Sequence, residues 1–173
     1  MDAPLHFGCG EQATIDQTPL DTCLSTARMA TIDDVRPNRL LCVDDLGDVA
    51  DQHQPGDSLL LRTGWSQFVD DAKIYRDGLP RVSEKLARWC VDRKVKVLGV
   101  EPPSVADVNN LAEVTRIHEI LLGGGVTIVE GLTNLQRLPD GPFLFGAMPL
   151  KVLGGDGAPC RAFASLTDLK IHS

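Results

Sequence analysis

Apolar residues fall in short runs separated by turn formers. Residues 27–32 and 40–43, divided by the breaker Arg36-Pro37-Asn38, predict two strands. The turn Pro55-Gly56-Asp57, where proline presets φ and glycine accepts a positive one, leads into a predicted strand at 58–62 that ends at Thr63-Gly64-Trp65. Residues 70–80 predict loop. Ser83 predicts the N-cap of a helix reaching about residue 93, with Leu86, Trp89 and Cys90 in one buried stripe. Residues 94–100 alternate into a strand, which Pro102-Pro103 closes. Strand, helix, strand is the pattern of an α/β layer.

A second helix is predicted over residues 108–122, stopped by Gly123-Gly124-Gly125. At about 100° per residue Leu111, Val114, Leu121 and Leu122 share a face, with Glu113 and Arg116 opposite. His118 falls in the middle of that apolar face, where an imidazole is either a hydrogen-bonded core residue or a ligand or catalyst. Residues 126–129 predict a buried strand that delivers Glu130. That acid either turns outward into water or meets His118 across one tight connection. Residues 132–138 predict a short helix or turn and 143–152 a strand; Gly154-Gly155-Asp156-Gly157 predicts a hairpin-like turn and 160–166 its partner strand. Residues 8–26 read as irregular loop and 170–173, with His172, as tail. Thr63, Glu101 and Glu130 each end a predicted strand, and ligands in open α/β sheets gather beyond carboxyl ends.

Composition narrows the picture. A chain of 173 residues, 43% of them hydrophobic, suits one domain over residues 1–173 with one core. Its formal net charge of -7 and lack of a basic cluster exclude nucleic acid as a partner. No apolar run approaches the roughly 20 residues that cross a bilayer, and an acid follows Met1 directly, so no membrane association and a cytoplasmic location are expected. Five cysteines, an odd number without a C-x-x-C pair, argue against a disulfide framework and predict small core residues. Thiol chemistry at Cys9 has no histidine at a diagnostic spacing to support it. His53 reads as solvated.

The richest chemistry lies in Met1-Asp2-Ala3-Pro4-Leu5-His6-Phe7. Proline keeps this segment extended, and alternation then points Asp2 and His6 the same way. A carboxylate beside an imidazole can hold a divalent metal or set a base next to one; the plainer outcome is a solvated terminus.

Asp2-Ala3-Pro4-Leu5-His6-Phe7 resembles the second half of the His-x-Gly-Thr-His-x-Asp-x-Pro-x-His motif of the metal-dependent cyclase family, which includes bacterial kynurenine formamidases and isatin hydrolases. The resemblance continues through Leu61-Arg62-Thr63-Gly64-Trp65, Pro103-Ser104-Val105, His118 with Glu130, Asn134-Leu135, Pro149-Leu150-Lys151 and Asp156-Gly157-Ala158-Pro159. It implies a swivelling β/β/α-type α/β fold with a mixed sheet and a homodimer or larger homo-oligomer. It also implies zinc or manganese held by Asp2, His118 and Glu130, with His6 as general acid and base. The implied substrate is an aryl formamide such as N-formylkynurenine, or a cyclic amide. Hydrolysing an unstrained amide near neutral pH suits such a site, because a metal brings the pKa of its bound water to roughly 7. Phe7, Trp65 and Phe68 lie near the matching motifs and are expected to line an aryl pocket.

The family's two upstream histidines would fall before Met1, so the resemblance describes an N-terminally shortened chain with weakened metal binding. Glu101 stands where relatives usually carry aspartate, and Pro102 where they often carry threonine. These departures sustain a second expectation, a catalytically impaired member serving as a small-molecule binding or oligomerisation module.

Overall fold

Leu59, Leu60 and Leu61 are all fully buried in succession, which requires a strand covered on both faces. That strand lies inside the main sheet. The computed structural model describes residues 1–8 and 13–166, so Cys9 and the tail at 170–173 lie outside the described residues. In chain order the strands are β1 (Leu24–Thr31), β2 (Leu40–Leu41), β3 (Ser58–Arg62), β4 (Arg81–Val82), β5 (Val97–Val100), β6 (Thr127–Val129), β7 (Phe143–Pro149) and β8 (Cys160–Ser165). The helices are α1 (Val49–Gln52), α2 (Ala72–Asp77), α3 (Glu84–Asp92) and α4 (Leu111–Gly123).

The main sheet has the order β6-β5-β3-β1-β7-β8; its first four strands are parallel, and β7 and β8 are antiparallel to their neighbours. A small parallel pair, β2 with β4, stands apart. Parallel neighbours need crossovers, and these carry α1, α3 and α4. Leu86, Ala87 and Cys90 of α3 and Val114, Ile117, Leu121 and Leu122 of α4 pack on Leu59, Leu61, Leu98, Val100 and Ile128. The intervening residues Leu60, Val97 and Val129 face the other way, onto Leu132, Leu135, Phe143 and Phe145. Each fully buried side chain of this size contributes about 1.5–3 kcal/mol. The result is the mixed-sheet α/β architecture of the β/β/α type.

Both longer helices begin as the sequence indicates. Ser83 accepts a hydrogen bond from Leu86 N at 3.2 Å and Asn110 accepts one from Glu113 N at 3.2 Å, caps worth about 1 kcal/mol each. Helix α4 starts three residues later than the pattern suggests, and Leu111, at its first position, is 74% exposed rather than part of the buried face. Residues 70–80 are not all loop: Asp71 caps α2 by accepting from Ile74 N, in a segment too polar to show helical periodicity. Only residues 97–100 of the predicted 94–100 strand pair, and all four are buried, because a strand inside a parallel sheet does not alternate. The predicted 40–43 strand shortens to β2 and gives way to a 3₁₀ turn, Val43–Leu46. The 8–26 loop contains 3₁₀ turns at Ile15–Gln17 and Leu20–Cys23 before β1 begins.

His53 is a second correction. It is 2% exposed, set edge-on against Trp89, with Nε2 3.2 Å from the Asp57 carbonyl. Of the cysteines, Cys23 and Cys90 are buried as expected, Cys160 is half-buried and Cys42 is exposed. No helix among the described residues is long and apolar enough to cross a membrane. Because β3, β5 and β6 run parallel, Thr63, Glu101 and Glu130 emerge together at the carboxyl ends of three neighbouring strands.

Candidate active site

The segment containing Asp2 is laid down by backbone pairing. Asp2 N donates to the Ile128 carbonyl at 3.0 Å, which adds the terminus to the edge strand β6. On its other side Ala3 N donates to Asp156 O at 2.9 Å and Ala158 N donates to Met1 O at 3.0 Å. Gly157 permits this approach, since a Cβ there would sit 3.0 Å from the Met1 carbonyl oxygen. Ala3 is fully buried.

His6 is near Asp2, but not by strand alternation. The extended run ends at Ala3, and His6 N closes a turn onto Ala3 O at 2.9 Å, with Pro4 at the position where its fixed φ favours turning. A 3₁₀ turn, His6–Gly8, follows, with Phe7 in the left-handed region at φ 58°. The Phe7 ring lies 4.4 Å from the His118 ring and 4.6 Å from that of His6, measured between centroids.

Helix α4 carries His118 on its buried face, and its Nδ1 lies 2.7 Å from the Val114 carbonyl, one turn earlier. A carbonyl only accepts, so Nδ1 bears the hydrogen, and Nε2 of the neutral ring is a lone pair. That lone pair faces carboxylates: Nε2 is 3.6 Å from Glu130 Oε1 and 3.8 Å from Asp2 Oδ2. Glu130 is steadied by Val105 N, which donates to Oε1 at 3.1 Å. Asp2 Oδ2 is buried and has no hydrogen-bond partner among the described residues.

Burial, and then the neighbouring Glu130 charge, push the Asp2 carboxyl up to about 6. Burial pulls the His118 imidazole down, but the proximity of Glu130, the Val114 carbonyl and the Asp2 charge outweigh it, and its affinity for a proton rises. Both shifts express one fact: this cluster needs positive charge between its acceptors. A divalent cation meets that need, and neutral imidazole with carboxylates is a donor set for zinc or manganese. Asp2 and Glu130, two of the residues expected to hold a metal, thus both approach Nε2 of the third, His118. One donor atom each from Asp2, His6 and His118 also lie within 4.8 Å of one another, which brings His6 to the same spot. His6 Nδ1 is 2.9 Å from Asp156 Oδ2.

A cavity of about 480 Å³ opens over this cluster, walled by Asp2, His6, Glu130, Asp156, Pro103 and Tyr75 among others. Tyr75 stands on α2, where the sequence suggests loop, and its hydroxyl donates to the Glu101 carbonyl at 2.7 Å. Trp65 is 1% exposed, its indole N–H donates to Tyr75 O at 3.0 Å, and its ring stacks obliquely on Phe68 at 4.8 Å. None of Phe7, Trp65 and Phe68, the expected aryl-pocket residues, lines this cavity: Phe7 packs against the core and the two histidine rings, and Trp65, with Phe68 against it, instead supports Tyr75, which does line it.

Glu101 is buried, and four donors converge on its carboxylate. Thr63 N, Thr63 Oγ1 and Trp65 N donate to Oε2 at 2.6, 3.0 and 3.2 Å, and Ser66 Oγ donates to Oε1 at 2.7 Å. Its role is to tie the turn after β3 to the end of β5. Sequence alone gives Tyr75 and Asp156 no role in the site and Glu101 no such tie. Asp156 stands in a matched motif and Glu101 at the end of a predicted strand, but neither signal names a partner.

Comparison with known proteins agrees with this geometry. The family described as "Putative cyclase" matches residues 1–107. A kynurenine formamidase of Salinibacter ruber is 30% identical over 166 residues, covering 94% of this chain and 72% of the relative. Among solved structures, a potential metal-dependent hydrolase with cyclase activity superposes with a TM-score of 0.76 at 30% identity, covering 94% of this chain and 75% of that one. Isatin hydrolase A from Ralstonia solanacearum superposes with a TM-score of 0.79 at 27% identity, covering 94% and 69%.

Proposed function

The chain belongs to the cyclase family, and from that premise we propose that it is a metal-dependent amide hydrolase of the arylformamidase type, acting on N-formylkynurenine or a close aryl formamide. The observation that carries this reading is the orphaned, buried Asp2 Oδ2 opposite the lone pair of His118 Nε2, with Glu130 alongside. Asp2, His118 and Glu130 would hold zinc or manganese. The ion, when bound, supplies a water acidic enough to react near neutral pH. His6 would accept the proton that an attacking water gives up as its oxygen adds to the formyl carbon. The same imidazole returns a proton to the aryl nitrogen as the carbon–nitrogen bond breaks, releasing formate and the free amine. Phe7 holds the rings of His6 and His118 from the core side, and Trp65 with Phe68 hold Tyr75 in the cavity wall, where the aryl group would rest.

The activity is assigned to one domain over residues 1–173, working as a homo-oligomer; light scattering in solution reads the latter. Of the departures behind the binding-module reading, Glu101 has a structural use here, tying Thr63, Trp65 and Ser66 together, and so by itself gives no sign of a disabled site.

The test is turnover of N-formylkynurenine by the chain incubated with Zn²⁺ or Mn²⁺. Release of kynurenine and formate that a chelator stops and added metal restores is expected. Turnover unaffected by the chelator and by Asp2→Ala would overturn the metal assignment. Absence of turnover with N-formylkynurenine and with isatin, in protein that holds metal, would favour the binding module.

A further inference from the structure

Asp156 is 63% exposed at its side chain and sits on a loop, and an exposed carboxylate near a histidine is ordinarily worth little to stability. Three observations give this one another use. The Asp156 carboxylate meets His6 Nδ1 at 2.9 Å, and both residues wall the cavity that holds Asp2 and Glu130. Its loop is anchored from several sides: Gly154 N donates to Asp16 Oδ1 at 3.0 Å, Ile15 N to Gly155 O at 2.8 Å and Ala3 N to Asp156 O at 2.9 Å. The His6 ring is confined as well, edge-on to Phe7 at 4.6 Å and to His118 at 5.6 Å.

We propose that Asp156 is the positioning residue for His6. An ionised carboxylate only accepts, so its contact with Nδ1 selects the tautomer that carries hydrogen there and leaves Nε2 as the basic nitrogen. The packing of Phe7 and His118 sets the plane of the ring, and Asp156 sets its rotation within that plane. One loop then governs two parts of the site: the Asp156 carbonyl fixes the segment bearing Asp2, and the Asp156 carboxylate fixes the imidazole that moves the proton. Asp156 keeps its own charge throughout; the proton passes from water to His6 Nε2 and on to the leaving nitrogen.

This inference rests on the hydrolase reading for its kinetic part only. Asp156→Asn presents an amide that can donate to Nδ1 as readily as accept, so it releases the choice of tautomer while keeping shape. The expected result is a 10- to 100-fold fall in kcat, the range for losing an oriented partner, with KM within about twofold and metal content unchanged. Asp156→Glu should recover part of the loss. In a His6→Ala background Asp156→Asn should change kcat less than about twofold, because two residues acting through one group are not additive.

The second readout needs no turnover. Nitrogen-15 shifts of the four histidines, with His6 assigned by its loss in His6→Gln, should show His6 protonated at Nδ1 in the parent and a mixture in Asp156→Asn. Should the amide perturb the loop, Asp156→Ser gives the same two readouts. An unchanged His6 tautomer, or an equal fall in kcat with and without His6, would overturn the proposal. A parent chain that hydrolyses no aryl formamide would instead sink the hydrolase reading, with the tautomer still deciding whether Asp156 governs His6.

Discussion

His118 Nε2 and Asp2 Oδ2 face each other across 3.8 Å, with no hydrogen atom fixed between them, because the ring's other nitrogen is held by the Val114 carbonyl at 2.7 Å. Two acceptors turned toward one another at a buried point are repulsive unless a proton or a cation joins them. Helix α4 sets one partner by burying His118 with Ile117 and Leu121, and β6 sets the other by pairing with Asp2. The core thus holds the pair in place whether or not it is neutralised.

A metal should therefore stabilise the fold as well as complete the site. Zinc or manganese at about 100 times its dissociation constant should raise unfolding free energy by about 2.7 kcal/mol. Asp2→Asn or His118→Ala should remove most of that gain. Thermal melts with and without metal, beside metal analysis after dialysis, read both; a gain that survives both substitutions would place the ion elsewhere.

Loss of His6 should separate chemistry from binding. His6→Ala is expected to lower turnover by roughly 10² to 10⁴, the range for a general acid or base, while bound metal stays constant. Loss of metal in step with activity would make His6 a ligand instead, an outcome that its place within 4.8 Å of Asp2 and His118 allows.

How far the sequence reaches can be judged from these same residues. His118 and Glu130 are legible because helical periodicity puts the histidine on the buried face and the following strand ends at the acid. Asp2 and His6 are correctly paired from a wrong local premise, since a turn at Pro4 and not strand alternation brings them together. Leu111 fails because periodicity says which residues share a face and not where the helix begins relative to the sheet. Glu101, Tyr75, Asp156 and His53 are illegible for one reason: their partners are across the sheet or on another loop, and such pairing is settled only by tertiary packing.

Glu101 offers a stability test of that long-range role. Glu101→Ala would leave Thr63 N and the Thr63 hydroxyl buried without this acceptor, at about 1–3 kcal/mol each, and would leave Trp65 N only Thr63 Oγ1, at 3.3 Å. Denaturant unfolding should show a loss of several kcal/mol. Glu101→Gln keeps one acceptor oxygen and should cost less. A loss below about 1 kcal/mol for Glu101→Ala would mean that water replaces the carboxylate without strain.

His53 predicts how the fold responds to acid. Its burial lowers the affinity of the imidazole for a proton below the ordinary value of 6.5, against the opposing pull of the Asp57 carbonyl. The unfolded chain then binds a proton that the folded chain refuses, so its contribution to stability is full above about pH 6.5 and is lost as pH falls toward the folded value. His53→Gln keeps a donor for the Asp57 carbonyl and has nothing to titrate. Between pH 7 and 5 the parent should therefore lose more unfolding free energy than His53→Gln does, and the difference should be confined to that window because neither Trp89, at 5.5 Å, nor Arg93, stacked 5.6 Å over the Trp89 ring, changes charge within it. Parallel stability curves for the two proteins would mean that His53 takes up its proton as readily in the fold as in the unfolded chain, and that Nδ1, unpartnered among the described residues, finds an acceptor once protonated.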